Sequence, residues 1–293
     1  MKKRFGDRRD GYKVRDAGAF QKFLLRIKPL RCDADVFINQ KIDVTNLVKY
    51  MEKKKKENPD ERFTYFHAFL TAFAKTIYNR PLLNRFVINN NYYDHKDIRL
   101  AFVAKVEFTD ESKENMVVLK VEDDDNINTI HKKINKYVSN LRNKKDNTTD
   151  GAITFLAKLP KWLFNIVAGI VKFMDRHDLL PSSLTENLIY YSSALISNLG
   201  SIEGGAIYHN LPDIGTTSLL ITIGEIKKEP YVNEKGEIEI HDFCDFGINL
   251  DERIGDGFYF VKSFKMFEYI LEHPEMLEEK ISEKITQEKK RKY

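Results

Sequence analysis

One junction constrains the fold of this chain more than any other stretch. Residues Glu237 to Leu250 have the β-branched and aromatic composition of a strand, and a helix begins near Asp256 and runs toward Glu272, with Pro274 marking its end. Between them lies Asp251-Glu252-Arg253-Ile254-Gly255-Asp256-Gly257, a turn in which six of seven residues are charged or glycine. Asp256-Gly257 suits the N-cap and first turn of that helix. A late strand therefore delivers a cluster of ionisable side chains directly to a helix N-terminus.

Upstream, helices and strands alternate without an internal repeat. Ala17 to Ile27 reads as a short amphipathic helix and Val36 to Ile42 as a strand. Thr45 is placed to cap a helix to about Lys55, and Glu52 to Asn58 reads as a solvated turn. Phe66, Phe69, Leu70, Phe73, Ala74 and Ile77 share one helical face that Pro81 terminates. Asn89-Asn90-Asn91 signals a turn; Leu100–Val106 and Met116–Val121 have strand composition. Asn126 to Leu141 is helical, with Ile127, Ile130, Ile134, Val138 and Leu141 on one stripe. Further strands are expected near Tyr191–Ser197 and Ser218–Glu225. This order lacks the regular strand-helix period of a doubly wound fold, so the fold class is α+β, a mixed α/β two-layer sandwich.

With 293 residues, 42% of them hydrophobic, the chain can bury a sizeable core. Only 8 Pro and 14 Gly argue against long disordered linkers. From Met1 to Arg31 there are eleven Lys/Arg against three Asp/Glu, and Lys289 to Lys292 is also basic. Such runs attract phosphate or form a solvated flank; no aromatic-studded basic motif of a nucleic-acid module accompanies them, so no nucleic-acid partner is expected. Cys32 and Cys244 lack metal-ligand spacing and suit a reducing compartment. The basic N-terminus lacks the apolar run of a signal peptide, and a cytoplasmic location is expected.

Ala152 to Met174 is unusually apolar, but Lys158, Pro160, Lys161 and Lys172 interrupt it. A bilayer span needs about 20 uninterrupted apolar residues. Burial within the protein or its oligomer is the first reading, and contact with a membrane surface the second.

The turn D-E-R-I-G-D-G resembles the D-H-R-x-x-D-G signature of the catalytic (acyltransferase) domain of 2-oxo acid dehydrogenase complexes, a spacing shared with chloramphenicol acetyltransferase. The resemblance extends, in the family's order, to Thr64–Val87, Asp97–Val121, the I-S-N-L-G segment Ile196–Gly200, and the closing helix Phe264–Pro274. It implies a chloramphenicol acetyltransferase-like fold, a mixed sheet flanked by helices, working as a homotrimer with active sites in channels between subunits. It also implies a small-molecule or carrier-bound acyl thioester as partner, with acyl-coenzyme A as co-substrate and no bound cofactor. The chain reads as a single acyltransferase-like domain over 1–293, with an apolar helical insertion at about 152–182 and no room for lipoyl or subunit-binding domains.

Residue by residue, Glu252 takes the place of the family's general-base histidine. Ser197 matches the hydroxyl that stabilises the oxyanion. Asp256 matches the aspartate that orients the site through an arginine, and Arg253 the arginine beside the histidine. Glutamate can act as a base if a partly apolar channel tunes it; otherwise Glu252 forms a salt bridge in an inactive site. His209, in the Gly-rich loop after Ser197, is a second candidate base or a loop histidine bonded to backbone. Two functions follow: acyl transfer from a thioester, or a catalytically inactive homologue that binds a ligand or assembles as a trimer.

Overall fold

The computed structural model describes residues 4–105, 114–143 and 158–286. In chain order the elements are β1 (Gly11–Lys13), α1 (Ala19–Ile27), β2 (Asp35–Asp43), α2 (Thr45–Glu57), α3 (Tyr65–Asn79), β3 (Arg85–Ile88), β4 (Asn91–His95), β5 (Ile98–Lys105), β6 (Glu114–Val121), α4 (Ile127–Asn143), α5 (Lys161–Arg176), β7 (Ala194–Asn198), β8 (Leu219–Val232), β9 (Ile238–Asp251) and α6 (Gly257–Glu272). Six strands form a mixed sheet in the order β2-β9-β8-β7-β5-β6, and β1-β4-β3 form a small antiparallel sheet. β7 runs parallel to both neighbours, β5 and β8, and the remaining pairs are antiparallel.

The sheet's two faces differ because strand side chains alternate. Ala194, Ile196, Leu219, Ile221, Ile223, Phe246, Ile248 and Leu250 face the main core. Against them lies α3, whose apolar stripe is buried as its spacing predicts. Phe73 stacks on Phe267 of α6 with ring centroids 4.0 Å apart, and both rings meet Phe246 of β9 edge-on. Lys75 is fully buried on α3, yet its ammonium donates to Met276 O, Glu279 Oε2 and Lys280 O at 2.8–3.2 Å. It thereby holds the chain after α6 against the core.

The opposite face carries Ser197, Thr222, Gly247, Asn249 and Asp251, and residues 204–215 run over it. Thr222 Oγ1 accepts from Ile207 N at 3.0 Å and donates to Ile207 O. Asn249 Nδ2 donates to His209 O. The loop lies so close that a Cβ on Gly247 would come within 2.3 Å of Ile207 O. Buried Arg31 closes the far end, donating to the carbonyls of Pro212, Ile214, Gly215 and Val87.

Several expected boundaries move. α2 continues through Lys53–Glu57, where a solvated turn was expected, because Lys and Glu are good helix formers and only Asn58 leaves the helix. Thr45 does not cap α2: Asp43 Oδ1 accepts from Thr45 N, and Thr45 Oγ1 accepts from Asp242 N. β7 begins at Ala194, after a 3₁₀ turn at Ile189–Tyr191. β8 and β9 extend as a hairpin well past the core, to Val232 and Ile238. In the apolar stretch, helix covers Lys161–Arg176, while residues 152–157 lie outside the described residues. Among the described residues, no helix is long and apolar enough to cross a membrane.

Candidate functional site

β9 delivers Asp251, and a 3₁₀ turn over Glu252–Ile254 follows at once. This turn is fixed by a buried ion pair: Arg253 Nε and Nη2 donate to the two carboxylate oxygens of Asp251 at 2.8 and 2.6 Å. The guanidinium also donates to Lys28 O and Pro29 O, tying the turn to the end of α1. Arg253 thus fixes the turn, and its partner is Asp251.

Glu252 is about one-third exposed and forms an ion pair with Lys28. Within the chain, the charged neighbour of this carboxylate is the Lys28 ammonium. Asp256 is exposed and caps α6, its Oδ1 accepting from Tyr259 N at 2.7 Å. Among the described residues it has no arginine partner, and the contact it makes here is the helix cap.

Ser197 sits at the C-terminal end of β7, partly buried, on the face crossed by residues 204–215. Its register neighbour is Thr222, which pairs with Gly247. Glu252 lies five residues beyond Gly247, so the two candidates are separated by roughly 16 Å along the strands and about 9 Å across them. One chain cannot bring both to one reacting carbonyl, which needs groups about 3 Å away. His209 is exposed, and its link to the site is through its backbone carbonyl and Asn249; no contact joins its imidazole to Glu252 or Ser197 among the described residues.

Sequence reasoning missed the histidine pair beside a cleft of about 1200 Å³. The cleft opens at the end of β7, between the start of α3, α4 and the first residues of the β8 extension. Its floor is apolar, including Phe66, Phe102 and Ile134, and its polar lining includes Asn198, Ser201, His67 and His131. His67 Nδ1 accepts from Thr64 N at 3.0 Å, so the neutral ring carries its proton on Nε2. That Nε2 is buried and has no hydrogen-bond partner among the described residues. Burial, aided by His131 with its ring centroid 4.7 Å away, pushes the His67 pKa down to about 4. The spacing Thr64-x-x-His67 at a helix start is a capping-box pattern and was the available signal.

Cys32 and Cys244 are both free thiols; burial pushes Cys244 up to about 12 and leaves it inert. Among the described residues, no group of three His, Cys, Asp or Glu side chains can hold a metal ion.

A mixed six-stranded sheet with helices on one face and a site loop on the other defines the chloramphenicol acetyltransferase-like fold. A chloramphenicol acetyltransferase shares it at a TM-score of 0.51, with 10% identity, over 89% of this chain and 99% of that one. A probable dihydrolipoamide acetyltransferase from Listeria monocytogenes matches with a TM-score of 0.58 and 18% identity, over 89% of this chain and 95% of that one. A dihydrolipoamide acetyltransferase from Azotobacter vinelandii matches with a TM-score of 0.60 and 13% identity, over 90% and 94%. A search of curated protein sequences returned no match. Within this fold, residues 179–278 carry the sequence pattern of the 2-oxoacid dehydrogenases acyltransferase (catalytic domain) family. That stretch includes β7, the loop over the sheet, the β8–β9 hairpin, the Glu252 turn and α6.

Proposed function

We propose that this protein is an acyltransferase that takes an acyl group from a coenzyme A or carrier thioester, working as a homotrimer. The observation that carries this reading is the separation of Ser197 and Glu252 on one sheet: each is half of a site that a neighbouring copy completes. Exposed apolar side chains supply the contacts such neighbours need. Phe37, Ile207 and Tyr208 stand on the loop-covered face, and Val232, Ile238 and Ile240 on the projecting hairpin.

In the completed site, Glu252 takes the proton of an acceptor thiol or hydroxyl, which then attacks the thioester carbonyl. The Ser197 hydroxyl has no hydrogen-bond partner among the described residues and donates to the oxyanion. Collapse breaks the carbon–sulfur bond, and the departing thiolate recovers the proton from Glu252. The Lys28 ammonium orients the Glu252 carboxylate. The cleft beside Asn198 and Ser201, about 1200 Å³ with an apolar floor, would take an acyl or pantetheine chain, with His67 Nε2 as a donor for one of its carbonyls.

The Lys28–Glu252 ion pair also favours a second reading, an inactive homologue that binds the thioester without turning it over. Assay of the wild type against a panel of acyl-coenzyme A donors and thiol or hydroxyl acceptors separates the two. Transfer that falls by about 10²- to 10⁴-fold in Glu252→Gln supports catalysis by this carboxylate. Turnover unchanged in Glu252→Gln rejects it and directs attention to His209→Ala. Coenzyme A binding by calorimetry with no transfer to any acceptor establishes the second reading.

A further inference from the structure

Helix α5 packs only one side against the chain. Leu163, Val167, Val171 and Met174 are partly buried, and Asp175 is buried, accepting from Tyr191 Oη at 2.7 Å and Gly215 N at 3.0 Å. A second apolar stripe remains exposed: Trp162 at 65%, Ile166 at 52%, Ile170 at 53% and Phe173 at 56%. These residues recur at helical spacing and form a continuous ridge along a helix about 24 Å long. Beside the ridge, on the next strip of the helix surface, stand Lys161, Lys172 and Arg176, all exposed. Asp175 is the helix's one acid and it points inward, so the exposed surface of α5 is apolar and cationic.

α1 repeats this arrangement. Phe20, Phe23 and Ile27 are exposed at 72, 57 and 54%, with Lys22 and Arg26 exposed between them and no acid on the helix. The C-terminal ends of the two helices meet around one cavity of about 270 Å³, lined by Pro29, Leu30 and Arg31 after α1 and by Lys172 and Arg176 of α5. Two helices thus join at their ends, each with an apolar stripe that no described residue covers and with cations as the exposed charges on the helix itself; Arg176 also pairs with Asp213 at 3.9 Å. That pairing of aromatic and aliphatic side chains with a basic flank is the chemistry of a helix lying in a lipid headgroup layer. Negative lipids match the flank and acyl chains match the ridge.

We propose that α5, assisted by α1, docks this protein on an anionic lipid surface, lying in the interface without crossing it. The chain offers its own probe, because Trp162 is its single tryptophan. The full-length protein is mixed with vesicles of phosphatidylcholine and phosphatidylglycerol, and separately with vesicles of phosphatidylcholine alone, and followed by flotation and tryptophan emission. The expected result is flotation and a blue shift with the anionic vesicles only, weakened by salt. Lys161→Gln and Lys172→Gln should each weaken binding about fivefold. Ile166→Asp with Ile170→Asp should abolish it, while the oligomeric state from light scattering stays unchanged. These positions are exposed, so the variants fold. Absence of flotation and of a spectral shift in the wild type overturns the proposal. So does a variant pair that breaks the oligomer, which assigns the ridge to a second copy of the chain.

Discussion

At Glu252 the position is set by its neighbours more than by the residue itself. Asp251 and Arg253 are almost wholly buried and bonded to each other, and their pairing fixes the turn that presents Glu252. Removing one partner of a buried ion pair leaves an uncompensated charge, which typically costs about 3–5 kcal/mol. Asp251→Asn should therefore destabilise the protein by about that amount in urea titration, whereas Glu252→Gln, partly exposed, should leave stability within about 0.5 kcal/mol. The charged heptapeptide singled out this turn as a candidate site. It did not reveal Lys28, which approaches from more than two hundred residues away in sequence and sits in an unremarkable basic run.

Helices α3 and α4 meet through ionisable rings. His67 and His131 lie edge to face, Phe63 stacks on His131, and burial lowers the pKa of both histidines. His95, partly buried beside Phe86, is likewise pushed down to about 4, chiefly by desolvation. Folded-state values below the ordinary 6.5 mean that the unfolded chain binds protons first as pH falls. Stability is therefore full above about pH 6.5 and declines as pH drops toward about 4. Melting temperatures measured from pH 7.5 to 4.5 should fall over that window, and His67→Gln should flatten the decline; a profile insensitive to that change would contradict the account. At the other end of the sheet, Asp256→Ala removes the N-cap of α6 and should cost about 1 kcal/mol.

The elements were legible where a buried stripe enforced a period. The 66–77 face became α3, and Ile127, Ile130 and Ile134 became the buried side of α4. Legibility failed where contacts from distant sequence decided the pattern. The Lys-rich end of α2 is anchored by buried Lys54, which pairs with Glu278 and lies over the Phe63 ring, and the β8–β9 hairpin is held beyond the core by pairing between its own strands. The candidate residues Ser197 and Glu252 could be proposed from the sequence because they stand in segments that match the family pattern. Their distance from each other could not, because it depends on strand order and register, which no local pattern records.

Taken whole, the molecule carries Ser197 and Glu252 apart on one sheet, apolar side chains on the projecting hairpin and loop-covered face, and a two-helix cationic ridge elsewhere. The proposed homotrimer would join the first two features, and light scattering at micromolar concentration should return three copies. Co-expression of Ser197→Ala with Glu252→Gln tests the central claim most directly. Each variant alone should be nearly inactive in acyl transfer. In randomly mixed trimers, each mixed assembly holds one site with both native residues, so the mixture should recover about a quarter of wild-type turnover. Recovery to that level is the predicted result; trimers shown to be mixed by mass spectrometry that remain as inactive as the separate variants would contradict a site built from Ser197 of one copy and Glu252 of the next.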